Sequence, residues 1–177
     1  PSSVRKKPFS VQYQVDFVLP SIKKKFDTDA KNAAQPFQGI FSNSELDDAL
    51  ILRSTNLYTC YFENKGKGQF VVHPLPVQAQ FSAVQSICVG DFNNDTNLDI
   101  LLGGNYYSPD FMTGQYDASN GLVLMGDGKG NFKPLESSSS GIFFKGDTRS
   151  IAKIKWHNKN AFIVAANSGK LAVYNLH

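Results

Sequence analysis

The chain has 177 residues, of which 41% are hydrophobic and 19% are charged, and its 18 basic and 15 acidic residues give a formal net charge of +3. This length suits one domain, and the composition excludes an intrinsically disordered chain. No apolar stretch approaches the roughly 18 residues of a membrane helix, and two cysteines are too few for a disulfide scaffold or a cysteine-ligated zinc site. Because the first residue is Pro1 rather than Met, we expect the chain to be a piece of a longer protein.

Residues 1–46 are predicted to form an N-terminal strand and short helices. Ser10–Leu19 alternates apolar and polar residues, as a half-buried strand does. Two short helices are predicted over Ser21–Phe26 and Asp29–Ala34. The segment Ser44–Asp47 places a hydroxyl group three residues before a carboxylate, which is a signal for the start of a helix.

The rest of the chain repeats itself. Gly66–Phe70 returns as Gly128–Phe132, and Ile100–Asn105 returns as Phe162–Asn167, each shifted by 62 positions. A looser copy of the apolar run begins at Leu50. A period of this size is typical of an array of similar supersecondary units.

Each unit is predicted to contain four short antiparallel strands, which is typical of a propeller blade. The predicted strands include buried runs at 50–53, 100–104 and 162–166, and second strands at 57–62, 122–125 and 171–174. A Gly-Lys-Gly turn at 66–68 and at 128–130 then leads into a strand that starts at Phe70 or Phe132, because glycine supplies the positive φ of a tight turn.

We therefore predict an all-β fold, a partial β-propeller of about three blades with short helical decorations near the N-terminus. The predicted boundaries are 1–46 for the N-terminal segment, 47–82 for the first unit, 83–147 for the second and 148–177 for an incomplete third. A propeller needs at least four blades to close. The missing blades are expected to come from the same parent protein or from another chain.

The charges of residues 81–128, most of which belong to the second unit, are one-sided. Residues 81–128 contain no Lys, Arg or His, and their acids are Asp91, Asp95, Asp99, Asp110, Asp117 and Asp127. We expect positive charge from outside the chain to balance them, and nucleic acid has the wrong sign for such a surface. The basic runs Arg5–Lys7 and Lys23–Lys25 lack interleaved aromatic residues and are interpreted as solvated faces.

Within this unit, the segment 91–99 carries the pattern of a calcium loop. Asp91, Asn93, Asp95 and Asp99 supply carboxylate or amide oxygens, and Asn97 is free to offer its backbone carbonyl. Ca²⁺ takes six to eight hard oxygen ligands, and a tight loop with alternate residues turned inward provides them. The sequence therefore predicts a Ca²⁺ site here.

Other interpretations of this loop were weighed. An EF-hand needs a bidentate Glu where this chain has Leu102, and zinc is disfavoured without His or Cys in the loop. A solvated Asx-rich turn without an ion stays open as an alternative. In either case Phe92 and Leu98 are expected to point into the sheet.

The segments Asp91–Asp99, Ile100–Asn105 and Gly126–Phe132 resemble the VCBS/FG-GAP repeat of integrin-α-type β-propellers. Together with Phe17–Ser21 and Gly141–Phe144, the pattern is similar to the C-terminal part of bacterial VCBS-repeat proteins related to the cartilage acidic protein (ASPIC/UnbV) group. The resemblance implies a calcium-binding protein that is secreted or lies in the cell envelope, with a binding or scaffolding role.

The chain departs from the family pattern at two places. The family loop usually has glycine at its fourth and sixth positions, where this chain has Asn94 and Thr96, and β-branched Thr adopts the left-handed region poorly. In the third unit Lys155 stands where Asp91 would be, so only one calcium site is predicted. Trp156, at the position equivalent to Phe92, is expected in the core.

The long loop Asn105–Asn120 is the predicted partner-binding segment, because aromatic residues beside acids suit a protein or glycan surface. The candidate residues are Tyr106, Tyr107, Asp110, Phe111, Tyr116 and Asp117. The alternative is that this loop folds back over its own unit.

No nucleophile elbow, Walker loop or His-Glu-x-x-His motif occurs in the chain. We predict a non-catalytic, calcium-binding module with a protein or glycan partner and no membrane span. Two alternatives stay open: a part of a larger propeller enzyme, a glycan or phosphoester hydrolase or lyase whose active site lies outside this chain, and a structural subunit of a cell-envelope assembly. Cys60 and Cys88 are predicted in strands, and whether they are bridged is left open.

Overall fold

The computed structural model describes residues 24–25, 28, 30–31, 34–50, 52, 54–109, 114–157 and 159–176. The chain divides into two compact units, Pro1–Thr55 and Asn56–His177. The strand expected over 10–19 lies outside the described residues, as does most of the two helices expected before residue 35. Within the described ranges, no helix has the length and apolarity needed to cross a membrane.

The N-terminal compact part, Pro1–Thr55, contains short helices among its described residues. These are α1, Phe37–Ile40, and α2, Asn43–Leu46. The carboxylate of Glu45 accepts hydrogen bonds from the N–H and the hydroxyl of Ser42, each at 2.8 Å, and from Nζ of Lys25 at 3.0 Å. These partners, the Ser42 N–H first among them, lower the pKa of Glu45 to about 2. A short helix occurs in the predicted region, but the predicted start is wrong, because Ser42 rather than Ser44 is the N-cap and Asp47 lies at the C-terminal end of the helix.

The larger compact part, Asn56–His177, is all-β. Its strands are β1 (Cys60–Gly66), β2 (Gln69–Pro74), β3 (Val84–Gly90), β4 (Asp99–Gly104), β5 (Leu122–Gly126), β6 (Phe132–Leu135), β7 (Thr148–Trp156), β8 (Lys159–Ala166) and β9 (Ala172–Asn175). A 3-10 turn, Val77–Gln80, follows β2, and a one-turn helix α3, Ser137–Ser140, follows β6.

These strands form three separate antiparallel sheets, in the orders β1-β2, β3-β4-β5-β6 and β7-β8-β9. The turn between β1 and β2 has Lys67 at φ 52° and Gly68 at φ 76°, and the matching turn before β6 has Gly128 at 70° and Gly130 at 88°. The Gly-Lys-Gly turns are thus confirmed. Among the described residues no sheet closes on itself, and the all-β prediction is confirmed at this level.

The middle sheet has an apolar core on each of its two faces. On one face Leu101 and Val123 pack with Phe162 of β8 in one buried cluster. On the other face Leu102 and Leu124 pack with the partly buried rings of β1 and β6. Because side chains alternate between the faces of a strand, β4 is buried along its whole length. This explains why Ile100–Gly104 is an unbroken apolar run in the sequence.

Two predicted features of the first repeat are wrong. Leu50 and Leu52, in the run expected to be a buried strand, are more than four-fifths exposed and lie outside any strand. The next strand was expected to begin at Leu57 but begins at Cys60. Cys60 and Cys88 are both free thiols.

Candidate functional site

The predicted calcium loop connects β3 to β4 at one end of the middle sheet. The pairs Val89↔Ile100 and Gly90↔Asp99 close the ladder directly below it. Phe92 turns inward as expected and is buried against Phe162, with ring centroids 4.8 Å apart. Leu98 does not, since 61% of its surface is exposed.

The carboxylate of Asp91 organises the first half of the loop. One of its oxygens accepts the N–H of Asn94 at 2.7 Å and that of Asp95 at 3.2 Å, and the other accepts the N–H of Thr96 at 3.0 Å. These bonds reach three to five residues along the chain, further than the two residues of an Asx turn. They curl the loop around Asp91.

Two residues of the loop have left-handed backbone conformations. Asn94 has φ 63° and Thr96 has φ 72°. These are the fourth and sixth positions, where the resemblance expects glycine. Asn tolerates this region, whereas a β-branched residue is strained in it. The loop therefore adopts a glycine-type backbone without glycine.

Asp95 is the most accessible carboxylate of the loop and is fully exposed. It accepts hydrogen bonds from the side-chain amide of Asn93 at 2.9 Å and from the N–H of Asn97 at 2.8 Å. These bonds, the one from Asn93 first, lower the pKa of Asp95. Each carboxylate oxygen has a second lone pair, so both oxygens of Asp95 keep a free acceptor site.

Asp99 differs from the other acids because it is completely buried. One oxygen accepts the N–H of Phe92 at 2.9 Å, and the other accepts the N–H of Gly126 on β5, also at 2.9 Å. Asp99 thus ties the loop to β5 and satisfies two backbone donors.

The surroundings of the loop contain one cation that the local sequence did not predict. Lys153 of β7 places Nζ 2.6 Å from the backbone carbonyl of Asp91 and 5.4 Å from the ring centroid of Phe92. Lys153 therefore brings a positive charge of the same chain next to the loop, although its bond is to a backbone carbonyl and not to a carboxylate. Because Lys153 lies on a different sheet, no local spacing could have revealed it.

The described residues contain no group of three or more His, Cys, Asp or Glu side chains arranged to hold a metal ion. The loop therefore offers a mixed set of carboxylate and amide oxygens rather than a cluster of acids.

No protein-family model, no curated protein and no solved structure matches this chain.

In the third repeat the equivalent loop is replaced by a hairpin. β7 continues to Trp156 and β8 begins at Lys159, and Lys155 donates from Nζ to the side-chain oxygen of Asn160 at 2.8 Å. Trp156 is 53% exposed, so its expected place in the core is wrong. Because β7 and β8 continue up to this hairpin, Trp156 lies beyond the core that buries Phe92.

The base of the predicted partner-binding loop is fixed by Asn105, a residue that sequence reasoning did not assign. Its side-chain N–H₂ donates to the carbonyls of Ser119 at 2.8 Å and Gly146 at 3.1 Å, and its oxygen accepts the hydroxyl of Ser82 at 3.0 Å. Asn105 is 1% exposed. The available signal was its recurrence as Asn167. The backbone N–H of Asn167 donates to the carbonyl of Asp147, just before β7.

The candidate residues of this loop are only partly brought together. Tyr106 and Tyr116 pair in an isolated bridge, with N–H to carbonyl distances of 2.9 and 3.0 Å. Tyr107 is half-buried and Asp117 is exposed. Asp110 and Phe111 lie outside the described residues.

Proposed function

We propose that this chain is a segment of a β-propeller of the VCBS/FG-GAP type that holds Ca²⁺ in the loop 91–99 and serves as a non-catalytic binding or scaffolding module. The observation that carries the proposal is the left-handed backbone of Asn94 and Thr96. This backbone conformation gives the loop the curvature that the family obtains with glycine, although Asn is only tolerated in the left-handed region and Thr is unfavourable in it.

The arrangement of the sheets supports the propeller. Four strands follow one another as an antiparallel meander in β3–β6, and both faces of that sheet are packed. The first strands of two successive repeats, β3 and β7, lie next to each other. Stacked meanders whose first strands adjoin are the arrangement of neighbouring propeller blades.

The outer faces of the array support a need for further blades. Phe62 and Val72, paired on β1 and β2, are exposed, and so is Val173 on β9. Further sheets from the parent protein or from another chain would cover them.

The donor set suits a hard cation. Asp91, Asn93, Asp95 and Asn97 would hold Ca²⁺ through oxygen, and Asp99 would contribute through its remaining lone pairs while bracing the loop. A bound Ca²⁺ would supply the positive charge that the exposed acids lack. The Ca²⁺ loops of extracellular modules have dissociation constants of roughly 10⁻⁴–10⁻³ M. An affinity in this range would let this loop bind Ca²⁺ in a secreted or cell-envelope protein.

Calcium titration of the whole chain tests the proposal. At about 10 mM Ca²⁺ such constants stabilise the folded state by about 1.4–2.7 kcal/mol, and differential scanning calorimetry would record a higher Tm. Asp95→Ala should abolish the increase. Glu63→Ala is the matched control, because Glu63 is a carboxylate that also has a lowered pKa but lies on β1 rather than in the loop. An unchanged Tm in the wild-type chain, or an equal loss in both variants, would refute the calcium site.

A further inference from the structure

A second surface of the molecule has the shape of a small-ligand site. An open hollow of about 390 Å³ lies where β3 begins and β4 ends, and we call it the aromatic hollow. It is lined by Gln80, Phe81, Ser82, Gln85, Tyr106 and Tyr116. Its volume falls within the usual range for small-molecule sites, roughly 300–1,000 Å³.

The aromatic rings of this hollow are accessible to a ligand. Phe81 is 60% exposed and Tyr116 is 49% exposed. The face of an aromatic ring carries negative potential, whereas the C–H groups on one side of a sugar ring are weakly positive. Ring faces exposed in a concavity therefore suit the stacking of a sugar ring.

The lining offers neutral polar groups and no unbalanced charge. The oxygen of Gln85 accepts a hydrogen bond from Arg149 at 3.2 Å, which leaves the amide N–H₂ of Gln85 as a donor. The guanidinium of Arg149 lies 5.6 Å from the ring centroid of Tyr106 and is paired with the buried carboxylate of Asp147 at 2.7 Å. An uncharged ligand with hydroxyl groups is the best match for these groups.

The hollow is held in place by partly buried hydrogen bonds. Gln80 donates to the carbonyls of Thr59 at 2.9 Å and Leu75 at 3.0 Å and accepts the N–H of Thr59 at 2.7 Å. On the opposite side Ser82 is bound to Asn105, which fixes the base of the Tyr106–Tyr116 bridge. A preformed site loses little conformational entropy when it binds.

We propose that the aromatic hollow binds a neutral carbohydrate, whose ring stacks on Phe81 and whose hydroxyl groups bond to Gln85 and Ser82. This rests on the binding role proposed above and names its ligand class, but it does not depend on the calcium loop. The ligand proposed is a neutral sugar ring, because Arg149, the cation that is bound to Gln85 and lies over the ring of Tyr106, is already paired with the carboxylate of Asp147.

The test uses the full chain on an array of neutral oligosaccharides of hexoses and N-acetylhexosamines, with sialylated and sulfated glycans and a set of short peptides as comparators. The strongest neutral binder is then titrated by isothermal calorimetry, in Ca²⁺ and again in EDTA. Phe81→Ala and Gln85→Ala should each weaken binding at least tenfold. Phe143→Ala is the matched control, because Phe143 is 52% exposed and lies outside the hollow.

A second measurement makes the result independent of the variants. Amide NMR shifts should move at residues 80–85, 106 and 116 when the sugar is added, and not at 143. Absence of any neutral binder, binding only to acidic glycans or peptides, or equal losses in Phe81→Ala and Phe143→Ala would overturn the proposal. Sugar binding that persists in EDTA in a chain that does not bind Ca²⁺ would refute the calcium site and leave the hollow intact.

Discussion

Replacement of Thr96 by glycine should make the protein more stable. Thr96 is held at φ 72°, and its N–H is bound to Asp91 at 3.0 Å. The threonine side chain is exposed, so its removal sacrifices no packing. Glycine adopts this region freely, and the hydrogen bond to Asp91 is kept because it uses the backbone.

The size of the effect follows from two opposing contributions. Release of the left-handed conformation gains about 1–2 kcal/mol, and more than the lower limit is expected for a β-branched residue. The greater freedom of glycine in the unfolded chain costs about 0.4–1 kcal/mol. The difference is a stabilisation of about 1 kcal/mol, which raises the Tm of a chain of this length by about 2–4 °C.

Chemical denaturation and thermal melting of the whole chain in EDTA would measure this effect free of any calcium contribution. Asn94→Gly is the control, because Asn94 is at φ 63° in the same loop but already tolerates that region. Its expected effect is a loss of about 0.4–1 kcal/mol, the unfolded-chain cost of glycine with no strain released. A Thr96→Gly variant that is less stable than wild type, or that matches Asn94→Gly, would show that the loop backbone is not strained as described.

Three further predictions concern the packing and charge of the fold. Asp99→Ala leaves the N–H groups of Phe92 and Gly126 without acceptors and should destabilise the protein by about 2–5 kcal/mol; urea denaturation showing a loss below about 1 kcal/mol would contradict this. Glu45 should titrate near pH 2 in carbon-detected NMR. Because the folded pKa of Glu45 is below its usual value of 4.5, the stability that it contributes is present above about pH 4.5 and is lost as the pH falls towards 2. A midpoint near 4.5 would argue against the Ser42 cap. Gly103→Ala adds a methyl group that overlaps side chains of β3 and β7 and should cost about 1–3 kcal/mol in the same urea assay, whereas unchanged stability would mean that these strands do not pack closely.

The sequence predicted those parts of the fold in which one local pattern has one structural solution. The run that became β4 is apolar at every position because both faces are covered, and its copy in β8 follows the same 62-residue shift. The run at Leu50 is equally apolar but is not a strand where it is described. Apolar composition alone does not provide the neighbouring strand that a backbone needs for its hydrogen bonds, which explains that error.

The candidate site was predictable in its donors but not in its neighbours. Asp91 and Asp95 were found from their spacing, and the left-handed positions from the expected glycines. Lys153 reaches the loop from another sheet, and burial of Asp99 depends on its bond to Gly126 of β5. Such long-range contacts arise from sheet packing and leave no mark in the spacing of nearby residues.

The two proposed sites lie at opposite ends of the same pair of strands. β3 and β4 run from the aromatic hollow, at the pair Val84↔Gly104, to the calcium loop, beyond the pair Gly90↔Asp99. At about 3.3 Å per residue the sites are about 20 Å apart, so a Ca²⁺ ion in the loop cannot contact a sugar ring in the hollow. Calcium can therefore influence the hollow only through the register of these strands, which the buried faces of β4 already fix. Sugar affinity should for that reason be nearly the same in Ca²⁺ and in EDTA, and a large difference would require a second arrangement of the β3–β4 pair.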